Sequence, residues 1–225
     1  GHCDTSCQAL VGAQCGNGVI DRPNEVCAIG ETTYLNQGFC QNARGQSYDE
    51  IGARFIDVIS GLPAIDSRAA MRDIFFFSDT IGGIVGGYGT ILKTTDGGLN
   101  WQTQTQPLGT NLELSAIKFV NAQLGWAVGD DFSTTNGVIL NTTDGGASWL
   151  VQHTVVGGGG AGTIRLKDVV FANAQVGWVV GYPAGTVLHT TDGGARWINS
   201  GATVNFDTLN SAYAPSDQRV WLVGK

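Results

Sequence analysis

The sequence predicts an all-β fold, a β-propeller of four-stranded blades, over most of its 225 residues. A Thr-Thr-Asp-Gly-Gly phrase followed by a tryptophan occurs three times, and its aspartates, Asp96, Asp144 and Asp192, are 48 residues apart. A fixed period of this size is the mark of a repeat architecture. Each period also holds short apolar and β-branched runs split by Gly, Asn and Asp, which is typical of strands joined by tight turns. Four such strands make one propeller blade.

The repeat units fall near residues 69–106, 112–154, 165–201 and 207–225. In each complete unit three strands precede the phrase and a fourth begins at its tryptophan. The fourth unit stops at Lys225 after two strands, so about three and a half blades are visible. Three explanations remain open, namely a piece of a larger ring, a chain that closes with another chain, or a small four-bladed ring. A lone strand over residues 54–59 is expected to complete the last blade.

The repeated phrase predicts a stabilised turn rather than an active site. Its aspartate can accept hydrogen bonds from backbone N–H groups two residues on, its second glycine can supply a positive φ, and its tryptophan can bury a large face. A residue that recurs in every blade is unsuited to one unique site, so these residues are expected to be structural. They are Asp96, Gly98, Trp101, Asp144, Gly146, Trp149, Asp192, Gly194 and Trp197.

The pattern Ser/Thr-x-Asp-x-Gly-x-x-Trp resembles the Asp-box, or BNR repeat, of sialidase-like propellers. With the preceding Gly-Trp-x-Val-Gly and Gly-Thr-x-Leu-x runs, residues 54–225 resemble the Ycf48/HCF136-type propellers of photosystem II assembly factors. The resemblance implies the fold strongly and the function weakly, because function lies in sites carried on a fold. Assembly-factor relatives bind partners through an arginine-rich face, whereas the arginines of this sequence are not clustered along the chain.

The N-terminal region is expected to be a small disulfide-rich module over residues 1–40, joined by a linker, residues 41–53. All five cysteines lie there, at Cys3, Cys7, Cys15, Cys27 and Cys40. Dense cysteine in a short polar stretch favours disulfides and an oxidising compartment, and the odd number leaves one thiol over. The run from Cys15 to Cys40 is similar to a cysteine-rich repeat of myxobacterial surface proteins. The expected location is therefore secreted, extracellular or on the cell surface, with the periplasm as an alternative.

Composition and charge exclude several classes of function. The formal net charge is −7 and the pI is 4.7, which argues against nucleic acid as a partner. The sequence has no apolar run of eighteen residues that would predict a membrane span. Its few histidines are scattered, and it holds no Ser-His-Asp set, phosphate loop or dinucleotide fingerprint. No catalytic residue, metal or cofactor is predicted.

The leading hypothesis is a non-enzymatic propeller that binds a protein or a glycan. The alternatives are a sialidase- or glucanase-like hydrolase with catalytic groups partly outside this chain, and a structural subunit that self-associates through open blade edges. Contacts are expected in the variable loops at residues 107–113, 130–136, 155–163 and 182–183. Within them, Asp130, Asp131 and Tyr182 are the candidate partner-binding residues, and Asp130-Asp131 is an adjacent acidic pair that is expected in a solvated loop.

Overall fold

The computed structural model describes the strands between residues 31 and 55, residue 63, and residues 68–156, 163–183, 186–200 and 207–225. The chain forms two units, Gly1–Gly61 and Leu62–Lys225. Each unit is built from antiparallel strands that follow one another in space as they do in sequence.

The described part of the first unit is a four-stranded antiparallel sheet. Its strands are β1 (Glu31–Leu35), β2 (Phe39–Asn42), β3 (Ser47–Tyr48) and β4 (Arg54–Phe55). The structure differs here from the predicted linker, since β2 and β3 include residues from 41–53. It also differs from the expected ring-closing strand, because Arg54 and Phe55 pair with β3.

The predicted cysteine module lies largely outside the described residues. Cys3, Cys7, Cys15 and Cys27 fall in that part of the chain, and of Cys40 only the backbone position in β2 is described. The disulfides therefore stay a prediction.

The second unit contains three four-stranded sheets and one two-stranded sheet, which are the successive blades. Blade 1 comprises β5 (Met71–Phe76), β6 (Gly82–Gly86), β7 (Ile91–Thr94) and β8 (Gln102–Thr103). Blade 2 comprises β9 (Leu112–Phe119), β10 (Gly125–Asp131), β11 (Asn136–Thr142) and β12 (Leu150–Val155). Blade 3 comprises β13 (Arg165–Phe171), β14 (Gly177–Tyr182), β15 (Val187–Thr190) and β16 (Ile198–Asn199). Blade 4 comprises β17 (Leu209–Ser216) and β18 (Arg219–Gly224). The all-β propeller class is confirmed.

Helical structure in the described residues is limited to a 3₁₀ turn at Gly109–Asn111, which precedes β9. Across that same part of the chain, no helix combines the length and the apolar character needed to cross a membrane.

The core lies between successive blades, because alternate residues of a strand face opposite sides of its sheet. Trp126 of blade 2 is fully buried and stacks on Phe171 of blade 3, with ring centroids 3.5 Å apart. Trp178, at the same position of blade 3, is 7% exposed and packs with Leu209 of blade 4. In blade 4 the equivalent Trp221 is 66% exposed. In blades 2 and 3 this tryptophan packs against the next blade, whereas in blade 4 it is largely exposed among the described residues.

Candidate functional site: a charged cleft between three blades

The repeated turns are closed by side-chain hydrogen bonds that are the same in all three blades. Asp144 Oδ1 accepts from the Ser148 N–H at 2.9 Å and from the Thr142 hydroxyl at 2.8 Å. Asp96 and Asp192 accept the same pair of bonds in their own turns. The backbone donor lies four residues after the aspartate, whereas the sequence predicted two. Each carboxylate is thus held within its own turn.

The pKa of each turn aspartate follows from these bonds. Hydrogen bonds from the Ser148 side chain and backbone lower the pKa of Asp144 to about 2. The Asn100 side chain does most to lower the pKa of Asp96, and the Arg196 N–H does most to lower that of Asp192. All three groups are ionised at neutral pH, and none has the raised pKa that a general acid needs.

A buried threonine organises each turn, and the sequence analysis did not single it out. The Thr142 hydroxyl donates to Asp144 and accepts from the Gly146 N–H at 2.8 Å, and Thr142 is 2% exposed. Thr94 and Thr190 make the same bonds. The first threonine of the phrase faces inward in each turn.

The glycines and tryptophans of the phrase complete the turn. Both glycines have a positive φ, and for the second, Gly98, Gly146 and Gly194, φ is 86–87°. This is a conformation that a Cβ would penalise. Trp101, Trp149 and Trp197 are 3–7% exposed and each meets the ring of a first-strand phenylalanine edge-on. These contacts involve every residue of the phrase except the second threonine.

Two further aspartates join neighbouring blades. Asp73 Oδ2 of blade 1 accepts from the Ile117 N–H of blade 2 at 2.9 Å. Asp168 Oδ2 of blade 3 accepts from the Ala212 N–H and the Ser211 hydroxyl of blade 4, both at 2.8 Å. Burial raises the pKa of Asp73, although the hydrogen bonds from the Ile117 and Ile74 N–H groups oppose the change. The two carboxylates connect first strands and leave no free group for chemistry.

A polar cleft of about 490 Å³ opens where the first strands of blades 1, 2 and 3 converge. Arg72 comes from β5, Glu113 from β9, and Arg165 and Lys167 from β13. Asp130 enters from β10. The remaining lining residues are Ser115 and Phe132.

The charges of the cleft are unevenly paired. Arg72 Nε donates to Glu113 Oε1 at 2.6 Å, and its Nη2 lies at the same distance from that oxygen. Arg165 and Lys167 have no salt bridge or side-chain hydrogen bond within the part of the chain that the structure describes. Two cations therefore face the cleft without a bonded counter-ion.

Asp130 and Asp131 are not in a solvated loop, so that prediction was wrong. Both lie in β10 and are 2% and 8% exposed. The β10–β11 hairpin of blade 2 is longer than the β6–β7 hairpin of blade 1, so the two aspartates lie in a paired strand and not in the connecting loop. Asp131 accepts from the Ser133 hydroxyl and N–H, which lower its pKa. Burial raises the pKa of Asp130, while the charges of Arg165 and Lys167 lower it by a lesser amount.

Tyr182 ends β14 and is 41% exposed. It pairs across the ladder with Arg165 of the cleft, and its peptide bond to Pro183 is cis. The three candidate contact residues thus have different settings: Asp130 lines the cleft, Asp131 stabilises a turn, and Tyr182 lies beside the cleft.

The basic residues of the cleft were missed because they are far apart in sequence. Arg72, Ser115 and Lys167 each lie four residues before the phenylalanine that ends the first strand. Aligning the repeats on Phe76, Phe119 and Phe171 would have placed these three together. Among the described residues, no group of three or more His, Cys, Asp or Glu side chains could hold a metal ion.

Comparison with known protein families shows to which family this chain belongs. The family model described as photosynthesis system II assembly factor YCF48 matches residues 62–131 and 105–203. The chain belongs to this family. A comparison with proteins of curated function gave no match.

Solved structures of Ycf48 proteins cover part of the chain. One described as YCF48 bound to a D1 peptide is 27% identical over 58% of this chain, with a TM-score of 0.47. YCF48 from Cyanidioschyzon merolae is 21% identical over 67% of this chain, with a TM-score of 0.49. A GH74 xyloglucanase from Xanthomonas campestris is 18% identical over 63% of this chain and 27% of its own length, with a TM-score of 0.30. This chain spans 39% and 48% of the two YCF48 structures.

Family membership corrects the expected location. Ycf48 homologues are photosystem II assembly factors of the chloroplast lumen or the cyanobacterial periplasm. The prediction of an extracellular or cell-surface protein is therefore wrong.

Proposed function

We propose that this protein is a non-enzymatic propeller that binds an acidic segment of a partner polypeptide in the charged cleft. The observation that carries the proposal is the pair Arg165 and Lys167, which line the cleft without a bonded counter-ion in the described residues. Arg165 is exposed and Lys167 half-buried, so both can donate charge-assisted hydrogen bonds to a ligand carboxylate.

The electrostatic setting favours this ligand class. The protein as a whole carries a formal charge of −7, whereas in the cleft three cations outnumber two carboxylates, so the cleft can attract an anionic group. Phe132, at the rim, is 54% exposed and offers an apolar contact to a side chain of the bound segment. A mixture of charged and apolar contacts suits a peptide better than a simple ion.

The family description supports a protein partner. The family is described as an assembly factor, and one solved YCF48 is described with a bound D1 peptide. For this chain the class of partner, a polypeptide, is our proposal.

The hydrolase alternative is less well supported. Glycosidases use two carboxyl groups, one as an acid and one as a nucleophile or base. In the cleft Glu113 is held by Arg72 at 2.6 Å, and the turn aspartates are held by their own loops. Asp130 is the described lining carboxyl group with a buried oxygen that lacks a hydrogen-bond partner, and its burial limits contact with a sugar.

Fluorescence anisotropy with labelled peptides tests the proposal. A peptide rich in Glu should bind the protein, its Gln counterpart should bind more weakly, and added salt should weaken the first more than the second. Arg165→Gln and Lys167→Gln should each weaken binding about fivefold, because a partly exposed charge pair contributes up to about 1 kcal/mol. Arg219→Gln, an exposed site in blade 4 with the same change of charge, is the control.

Two outcomes would contradict the proposal. Equal loss of binding in the Arg219 control and in the two cleft variants would show that only net charge matters. Hydrolysis of a β-glucan or a sialoside that disappears in Asp130→Asn would support the enzyme alternative instead.

A further inference from the structure

Asp130 has an unusual setting for a carboxylate. It is 2% exposed, and its buried Oδ2 has no hydrogen-bond partner among the residues that the structure describes. Buried polar atoms nearly always have a partner, so an exception calls for an explanation. Asp130 also lines the charged cleft.

The repeat itself does not require a carboxylate at this position. Asp130 follows the glycine that ends the Gly-Trp-x-Val-Gly run, and the equivalent residues are Gly87 in blade 1, Tyr182 in blade 3 and Lys225 in blade 4. Four different residues occupy one structural position. The neighbouring Asp131, by contrast, is bonded to Ser133 at 2.6 Å and to Thr134 at 3.0 Å. Asp131 therefore stabilises its turn through hydrogen bonds, whereas the buried oxygen of Asp130 makes none among the described residues.

The charges around Asp130 leave it without a donor of its own. Arg165 and Lys167 act on it through their charges but neither is hydrogen-bonded to it. Glu113, directly across the ladder, repels it, and Arg72 is already bonded to Glu113. The cleft thus presents a pair of cations and, beside them, one carboxylate that lacks a donor.

We propose that Asp130 determines the specificity of the cleft for a mixed-charge peptide, in which a Lys or Arg lies beside an acidic residue. The ligand carboxylate accepts from Arg165 and Lys167, and the ligand ammonium or guanidinium donates to the carboxylate of Asp130. This inference rests on the proposed function, since it names the chemistry that the same cleft selects. A polyanion without a cation would place a further negative charge beside buried Asp130, so it should bind the cleft more weakly than a mixed-charge peptide of the same length.

A pair of peptides that differ at one residue tests the proposal on the full chain. The first contains Glu-Lys-Glu and the second Glu-Gln-Glu, and both are labelled for anisotropy. The wild-type protein should bind the Lys peptide about tenfold more tightly, because a charge-assisted hydrogen bond contributes at least that factor. Attraction between a basic cleft and net negative charge would by itself favour the Gln peptide, so this preference is diagnostic.

The substitution Asp130→Asn should reverse the order of the two peptides. It keeps the shape of the side chain and removes its charge, so the cleft should then favour the more acidic Gln peptide. Asp217→Asn, on the exposed turn of blade 4, is the matched control and should keep the wild-type preference. Urea unfolding should show Asp130→Asn to be at least as stable as the wild type, since it removes an unpaired buried carboxylate.

The outcomes separate this inference from the proposed function. An unchanged preference in Asp130→Asn, with both peptides weakened by Arg165→Gln and Lys167→Gln, overturns the inference and leaves the function standing. Failure of the wild type to bind either peptide overturns both. A loss of preference in the Asp217 control as well would refute the role of Asp130, because net charge would then explain the effect.

Discussion

Thr142 is the residue on which the blade 2 turn should depend most. Replacing it with Val keeps the shape of the side chain and removes its hydroxyl. The Gly146 N–H, which donates to that hydroxyl at 2.8 Å in a buried setting, is left without its partner. Asp144 loses the bond from the hydroxyl and keeps those from Ser148. An unsatisfied buried donor costs about 1–3 kcal/mol, so we expect Thr142→Val to lower the free energy of unfolding by about 2 kcal/mol.

The next residue in the same phrase supplies the control. Thr143 is exposed and its side chain has no hydrogen bond in the described structure, so Thr143→Val should change stability by less than about 0.5 kcal/mol. The assay is urea unfolding followed by tryptophan fluorescence, with both variants measured beside the wild type. Equal losses in the two variants, or no loss in Thr142→Val, would refute the assignment of the first threonine as the organiser of the turn.

Two further predictions concern the same blades. The pKa of Asp144 is about 2 in the folded protein and 3.8 ordinarily, so its ionised form stabilises the fold above pH 3.8 and this contribution disappears as the pH falls towards 2. The gap in urea midpoint between wild type and Asp144→Asn should therefore narrow from pH 5 to pH 2, and a constant gap would contradict the assignment. Gln152 Oε1 accepts from Trp126 Nε1 at 3.0 Å and its Nε2 donates to the Gly193 carbonyl at 3.0 Å. We expect Gln152→Leu to cost about 1–3 kcal/mol in urea unfolding, whereas the exposed control Gln123→Leu should be nearly neutral; similar results for both would argue against a bridge between blades 2 and 3.

The repeat shows how much of the fold is readable from sequence. The spacing of Asp96, Asp144 and Asp192 gives the blade period, because each blade needs the same turn at the same place. The identity of the buried threonine could not be read, since Thr142 and Thr143 are chemically identical and only the backbone direction decides which one faces inward. The choice of backbone donor for the aspartate carboxylate, such as the Ser148 N–H for Asp144, likewise depends on the φ and ψ values of the turn.

The candidate site was only partly predictable. Asp130 was singled out as one of an acidic pair, but the pair was predicted to lie in a solvated loop. The extra residues of blade 2 relative to blade 1 were interpreted as a longer loop, whereas they lengthen the hairpin. Burial in β10 depends on how far β10 and β11 stay paired, which the sequence pattern does not define. The basic side chains were missed because a search along the chain compares residues that are close in sequence. Arg72 and Lys167 come from different blades and line the same cleft.

The sequence by itself determined the repeat, the four-stranded blade and the structural role of the Asp-box residues. Local hydrogen bonds and alternate burial dictate these features, and they recur wherever the same residues recur. Only the tertiary structure decided where the charges meet, since stacking the blades brings Arg72, Asp130 and Lys167 from three separate repeats into one cleft. It also separated two adjacent aspartates by function: Asp131 finds its donors in its own turn, and Asp130 is left facing the cleft without one.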